Sequence, residues 1–174
     1  MFLSTIKRSE IMIDYKWIIP ECHADTAVVE CLGFSNPNHQ HGKGNVKAEI
    51  KTKFKGEKAV GIIDFDKDVY KVIDAKIDLK ESETLFLKQD IGTKHYFIFI
   101  KDKLEKFLLK TAKESGIDTS KYKIPNDFMK LGYLIKTTEI DSNPDFRRFL
   151  KALIREKAEP MVTLKAWLDE LANN

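Results

Sequence analysis

The sequence predicts an α/β protein: a largely parallel sheet flanked by helices, with a helical C-terminal extension. Three observations predict it. Short β-branched and aromatic runs alternate with segments of helical period from residue 12 to residue 116, the order from which βαβ units are built. The most strand-like run, AVGII, stops abruptly at alternating acids. From residue 117 onward strand patterns cease and amphipathic helices take over. With 174 residues, 43% of them apolar and 33% charged, the chain holds enough apolar material for one core and a modest extension.

Residues 1–11 form an N-terminal extension without the apolar stretch and small-residue cleavage site of a secretion signal. MIDYKWIIP (12–20) reads as a buried strand. TAVVECLGF reads as a helix capped by Asp25 or Thr26 and stopped by Gly33. SNPNHQHGKGN (35–45) is turn-rich, with room for one short strand around His39–His41. Val46, Ile50 and Phe54 recur at intervals of four, which predicts a helix over 46–54 with a lysine-rich outer face and Asn45 as its cap. KAVGIIDFD (58–66) is a strand, and DVYKVIDAKID (68–78) is ambiguous, read as a helix and then a loop. TLFLKQD (84–90) and HYFIFIK (95–101) are two further strands. Leu104, Phe107, Leu108 and Ala112 then mark a helix that Gly116 stops.

In the extension (117–174), Asn143 followed by Pro144 is a helix start, with Phe146, Phe149, Leu150, Leu153 and Ile154 on one face. Pro160 opens another helix whose stripe is Leu164, Trp167, Leu168 and Leu171. These stripes read as core packed on the α/β domain, and the outer faces are where a second copy or a protein partner would dock.

Thirty Lys and Arg against 27 Asp and Glu leave a net charge of +3, which excludes a uniform basic coat and confines any nucleic-acid contact to local patches. Such patches exist: residues 43–58 carry six lysines and two glutamates, residues 64–90 eight acids and five lysines. Arg147, Arg148, Lys151 and Arg155 make a second basic group. No apolar run approaches the roughly 18 to 20 residues that span a bilayer, so no membrane role is expected. Cys22 and Cys31 alone make no disulfide framework, which together with the missing signal points to reduced thiols and a cytoplasmic protein.

Two acidic sites invite chemistry. Glu21 directly follows the first strand, with Asp25 four residues on, and Asp64 and Asp66 end the strand AVGII, with Asp68 just beyond. In a parallel α/β sheet the carboxyl ends of the strands share one edge, where ligands bind. Neighbouring strands 12–20 and 58–64 would bring these carboxylates together, where mutual repulsion calls for a cation such as Mg²⁺. Between them, Gly42 and Gly44 let the backbone approach a ligand at a helix N-terminus, and Lys43 adds a point charge, an arrangement suited to phosphate. The spacing is not that of a Walker A loop.

The order strand–Glu–x-x-x-Asp–helix, glycine/lysine turn, strand–Asp-x-Asp resembles the Toprim domain of topoisomerases, bacterial primases, recombination proteins and overcoming-lysogenization-defect nucleases. The matching motifs are IIPECHAD, HGKGNV and GIIDFDKD, and the resemblance covers residues 12–116, nearest to the standalone or nuclease branch. It implies a Rossmann-like, mostly parallel sheet and a Mg²⁺-dependent (or Mn²⁺-dependent) phosphoryl-transfer site. By position, Asp64, Asp66 and Glu21 would hold metal, Glu21 and Asp25 would do acid–base work, and Lys43, Gly42, Gly44, Lys47 and Lys51 would meet the phosphates of DNA or RNA. The family usually has Gly after the glutamate, where this chain has Cys22. The chain has no room for the strand gates of a topoisomerase or the template modules of a primase, which leaves a small nuclease.

Other readings compete. A non-catalytic binding module that kept the fold and lost its chemistry would explain Cys22. His39 and His41 alternate and His23 could approach them, so three imidazoles could hold Zn²⁺, although no spaced Cys/His quartet exists. Cys22, near a helix N-terminus, is a candidate nucleophile with a lowered pKa. GIIDFDKDV also resembles the haloacid-dehalogenase-like phosphatase motif, but its fifth position is Asp68 and no later GDxxxD follows.

Overall fold

The computed structural model describes residues 13–67, Val69 and 76–174; Asp68 and the N-terminal extension lie outside them. The elements in chain order are β1 (Ile18–Pro20), α1 (His23–Cys31), α2 (Lys43–Lys53), β2 (Ala59–Phe65), β3 (Lys76–Glu81), β4 (Leu85–Asp90), β5 (His95–Lys101), α3 (Leu104–Glu114), α4 (Phe128–Ile135), α5 (Pro144–Arg155) and α6 (Glu159–Asn173). The sheet has five strands in the order β1-β2-β5-β4-β3. β1, β2 and β5 are parallel, β4 is antiparallel to β5, and β3 is antiparallel to β4. The fold is thus α/β, with a mixed, mostly parallel sheet flanked by helices.

Strand alternation divides the core. Val60, Ile62, Ile98 and Ile100 face one layer with α1, α3, α5 and α6, whereas Ala59, Ile63, Phe97 and Phe99 face the layer formed by α2. β2 and β5 are buried on both faces, which is why they read as continuous apolar runs. Gly61 sets the spacing on the α2 side, because a Cβ there would meet Val46 Cγ1 at 2.8 Å. Leu131, Phe149, Leu153, Leu164 and Leu168 of the C-terminal helices join the same apolar cluster as α1, so the extension shares the core of the α/β region.

Several sequence expectations shift. β1 is shorter than 12–20, because residues 13–17 are not strand, and Met12 lies outside the described residues. The N-cap of α1 is Cys22, with Asp25 in the first turn. α2 starts at Lys43 rather than at residue 46, with Gly42 (φ 86°) as its cap and Asn45 Nδ2 donating instead to His41 O at 2.6 Å. Residues 38–42 run beside β1 without forming a strand, with Asn38 N donating to Ile18 O and Gln40 N to Pro20 O at 2.8 and 3.0 Å. The loop expected at residues 76–78 is the start of β3. Its charges hide it: β3 is an edge strand with a bulge between Asp78 and Lys80, and Ile77 and Leu79 are exposed. Most of the helix expected ahead of it lies outside the described residues.

The boundaries of α3, α5 and α6 follow their sequence signals. Gly116 adopts φ 67° beyond α3, and Asn143 Oδ1 caps α5 by accepting from Phe146 N at 3.0 Å. Lys58 Nζ donates to Leu171 O at 2.5 Å, satisfying a carbonyl at the end of α6. Among the described residues no helix is long and apolar enough to cross a membrane.

Candidate functional site

β1 and β2 are parallel neighbours, so their carboxyl ends open on one edge. Glu21 N donates to Ile62 O at 3.1 Å, extending the ladder past Pro20 and fixing the glutamate backbone against β2. Its side chain turns the same way: Glu21 Oε2 accepts from Asp64 N at 3.1 Å. Lys43 Nζ, at the start of α2, lies 3.3 Å from Glu21 Oε1 and 3.3 Å from Asp66 Oδ1, joining both acids. Asp64 Oδ1 accepts from Leu104 N at 3.0 Å, which ties the end of β2 to the first turn of α3. The two acidic sites read from sequence therefore meet through Glu21, Asp64, Asp66 and Lys43.

Asp25 completes the group from the first turn of α1. Its Oδ2 accepts from the Cys22 thiol at 3.0 Å, while its Oδ1 is buried with no hydrogen-bond partner among the described residues. A buried, unpartnered carboxylate oxygen is costly and calls for a proton or a ligand. Glu21, Cys22, His23, Asp25, His41, Gly42, Asp64, Leu104 and Glu105 line a cleft of about 330 Å³, together with Ile135 to Thr138 of the extension. Gly44, Lys47 and Lys51 lie outside that lining; Lys47 is half-buried and Lys51 exposed on α2. The amides of Lys43 and Gly44 open α2, where a helix offers N–H groups without intrahelical acceptors.

Burial dominates the electrostatics. It pushes the Asp64 carboxyl up to about 9, with the charges of Asp25 and Glu21 adding and Lys43 opposing. Burial raises Asp25 to about 7, against the thiol hydrogen bond from Cys22 and with the charge of Glu21 adding. Glu21 is also raised by burial, against the pull of Lys43 and the amide of Asp64. Burial lowers the Lys43 ammonium, but Glu21 and Asp66 more than offset this, so its pKa is raised and it stays charged. The expected low-pKa nucleophile at Cys22 is overturned: burial, and then the Asp25 carboxylate, push its thiol up, so it acts as a neutral hydrogen-bonding cap.

A second cluster sits at the rim. One ring nitrogen from each of His23, His39 and His41 lies within 4.8 Å of those of the others. His23 Nδ1 is 2.9 Å from Asp141 Oδ2, a carboxylate supplied by the C-terminal extension. Burial and the neighbouring imidazoles lower the pKa of His39, favouring its neutral form. The basic group on α5 is less available than its sequence suggests: Arg147 Nη1 donates to Glu30 Oε2 and to Asp141 O, both at 2.8 Å, and Arg148 pairs with Asp145.

Sequence reasoning missed Asp141, the Leu104 amide and Glu105, a buried acid in the first turn of α3. The one local signal was the acid of DKLEK at a helix start after a strand; tertiary packing supplies the others. No family model matches the chain, and no curated protein or solved structure is significantly similar to it.

Proposed function

We propose that this chain is a Toprim-like, Mg²⁺-dependent phosphoryl-transfer protein that cleaves nucleic acid, a small nuclease. The observation that carries the reading is the convergence of Glu21, Asp25, Asp64 and Asp66 on one sheet edge, with Lys43 as the cation between them and Asp25 Oδ1 buried without a partner. Burial pushes Glu21, Asp25 and Asp64 toward protonation, and a hard divalent cation at this edge would relieve that cost. Asp64, Asp66 and Glu21 are the oxygen donors that would hold Mg²⁺, and Mn²⁺ suits the same donors. An ion held there would supply positive charge to a phosphodiester oxygen and to the charge that develops as a P–O bond breaks.

The protein's own groups supply the rest. Asp25 accepts the Cys22 thiol proton on Oδ2, so its own proton resides on Oδ1, and a pKa of about 7 suits it to acid–base transfer at that atom. Glu21 accepts from Lys43 Nζ on Oε1 and from Asp64 N on Oε2, which suits it to holding metal, so proton transfer falls to Asp25. Lys43 holds Glu21 and Asp66 in place, and the amides of Lys43 and Gly44 are oriented to meet an anion at the start of α2. Gly42 supports this turn, because φ 86° is a conformation that side chains resist and its amide donates to Glu21 O at 3.1 Å.

A second reading has a specific observation in its favour. Lys43 already gives Glu21 and Asp66 a cation, as expected of a binding module that kept the fold and dispensed with the metal. In that reading the outer faces of the C-terminal helices meet a partner or a second copy. Incubating purified protein with DNA and RNA in Mg²⁺ or Mn²⁺ separates the two. The nuclease reading expects cleavage that EDTA and Glu21→Gln abolish. It also expects a metal-induced rise in melting temperature that Asp64→Asn/Asp66→Asn removes. Robust cleavage by Glu21→Gln overturns the site assignment, and no thermal response to either metal leaves the binding module.

A further inference from the structure

We propose that His23, His39 and His41 form a transition-metal site of the Zn²⁺ class, separate from the carboxylates and at the rim of the same cleft. The three imidazoles come from different elements: His23 opens α1, while His39 and His41 lie on the extended segment beside β1. That segment places His39 and His41 two residues apart in extended backbone, so their side chains share a face. The ring centroids of His23 and His39 are 4.0 Å apart, those of His39 and His41 4.6 Å, and those of His23 and His41 5.5 Å.

The hydrogen bonds fix which nitrogens are available. Thr26 Oγ1 donates its only proton to Cys22 O at 2.9 Å. The contact between Thr26 Oγ1 and His39 Nδ1 at 3.0 Å therefore needs the proton on His39 Nδ1, which leaves the Nε2 lone pair free. His23 repeats the pattern: Nδ1 faces the Asp141 carboxylate at 2.9 Å and donates to it, leaving Nε2 free. A carboxylate behind a histidine in this way orients the ring and raises its strength as a ligand. His39 Nε2 faces His41 Nδ1 at 3.4 Å. Two nitrogens bound tetrahedrally to one zinc at 2.0–2.1 Å sit about 3.4 Å apart. The pair thus already has the spacing of two ligands on one ion, and a ring nitrogen of His23 lies within 4.8 Å of one on each of the others as the third donor.

The ligand type selects the ion. Neutral imidazole suits Zn²⁺ and its first-row neighbours, whereas Mg²⁺ prefers oxygen and keeps its waters. Three protein nitrogens leave a fourth position open, as in zinc sites that bind water or a substrate atom. His23 and His41 both line the cleft that holds Glu21, Asp25 and Asp64, so an ion here would border the carboxylates without using them. The site does not depend on the nuclease reading: it stands equally in a binding module.

The test is a titration of the metal-free full chain with Zn²⁺ in competition with a chromophoric chelator, repeated with excess Mg²⁺ present. The expected result is one Zn²⁺ per chain, not displaced by Mg²⁺ and retained in Asp64→Asn and in Cys22→Ser. His41→Ala, a change at an exposed side chain, lowers the affinity at least about 100-fold, given that loss of an outer-sphere partner alone costs about 10- to 100-fold. Asp141→Ala, which keeps all three ligands, lowers it within that narrower range. Co²⁺ in place of Zn²⁺ gives the visible absorption of a four-coordinate nitrogen-rich site in the wild type and loses it in His41→Ala, with circular dichroism verifying that the variant is folded. Zinc binding unchanged in His41→Ala, or abolished in Asp64→Asn or Cys22→Ser, overturns the imidazole assignment. Absence of stoichiometric zinc in the wild type overturns the site altogether, while leaving the outcome of the Mg²⁺ cleavage assay untouched.

Discussion

Replacing Asp64 by Asn tests the electrostatics of the sheet edge more directly than removing the side chain. Asp64 Oδ1 accepts from Leu104 N at 3.0 Å, and an asparagine carbonyl can accept the same bond, so the start of α3 keeps its cap. What changes is the proton. Burial, with the charges of Asp25 and Glu21, raises this carboxyl to about 9 in the native state, whereas an unfolded chain leaves it at its ordinary value of 3.8. Between those values the native state holds a proton that the unfolded state has released. Stability from this group is fully present below the unfolded pKa and is lost as pH rises through the native one. Each such proton changes stability by about 1.4 kcal/mol per pH unit, so the interval from pH 5 to pH 8 accounts for about 4 kcal/mol.

The Asn side chain is neutral at every pH and mimics the protonated acid. Urea unfolding in EDTA at pH 5, 6, 7 and 8 is therefore expected to show a wild type that weakens with pH and a variant whose decline is shallower by one proton. The variant is the more stable protein at pH 8. A residual slope below pH 7 remains in both, because Asp25 is itself raised to about 7. If the edge takes Mg²⁺ as proposed, saturating Mg²⁺ reverses the order at pH 8, since a bound ion displaces the proton and stabilises the wild type more than the variant. Parallel pH profiles in EDTA, or a variant less stable than the wild type at pH 8 there, would falsify the claim that Asp64 is held protonated by its surroundings.

Three further outcomes follow from the packing. Gly61→Ala places a Cβ 2.8 Å from Val46 Cγ1 and pushes α2 from the sheet, lowering unfolding stability by about 1–3 kcal/mol; a neutral result in a denaturant titration would mean that α2 can shift freely. Asn143→Ala removes the side-chain cap on Phe146 N and costs about 1 kcal/mol, while Asn143→Asp restores it. Arg147→Ala deletes the bonds to Glu30 and to Asp141 O, both partly exposed, and lowers stability by about 1–2 kcal/mol in the same assay, with the loss shrinking at high salt.

What the sequence makes legible is what depends on period and on residues close in the chain. β2 and β5 are apolar runs bounded by charge and turn residues, and α5 announces itself by Asn143, Pro144 and a complete stripe. That Glu21 and Asp64 meet was readable because each directly follows or ends a buried strand, and parallel neighbours place such ends together. The boundaries that moved are those set by unusual caps. Cys22 caps α1 through its sulfur, which accepts from Asp25 N at 3.4 Å, and Gly42 caps α2 by its backbone conformation alone. β3 was hidden because an edge strand needs no apolar alternation toward a core. The histidine cluster was visible in the sequence, as the spacing of His39 and His41 with His23 able to approach them, but the Asp141 carboxylate behind His23 depends on a contact across more than a hundred residues.

Those long-range contacts give the C-terminal extension a role in the site itself. Arg147 of α5 bonds Glu30 near the end of α1 and also the carbonyl of Asp141, whose carboxylate receives His23 at the beginning of α1. One helix is thus held at both ends by the same segment, and that helix carries Asp25 between the two points. A buried carboxylate with an unpartnered oxygen would, on a loosely held helix, find water by a small rotation. Asp25 is held buried, and its pKa raised by that burial, on a helix whose Ala24, Ala27 and Val28 pack into the core that the extension completes. The extension also contributes Ile135 to Thr138 to the lining of the cleft. The extension thus fixes the helix that carries Asp25 and shares the lining of the cleft, so the two parts of the chain shape the sheet edge together.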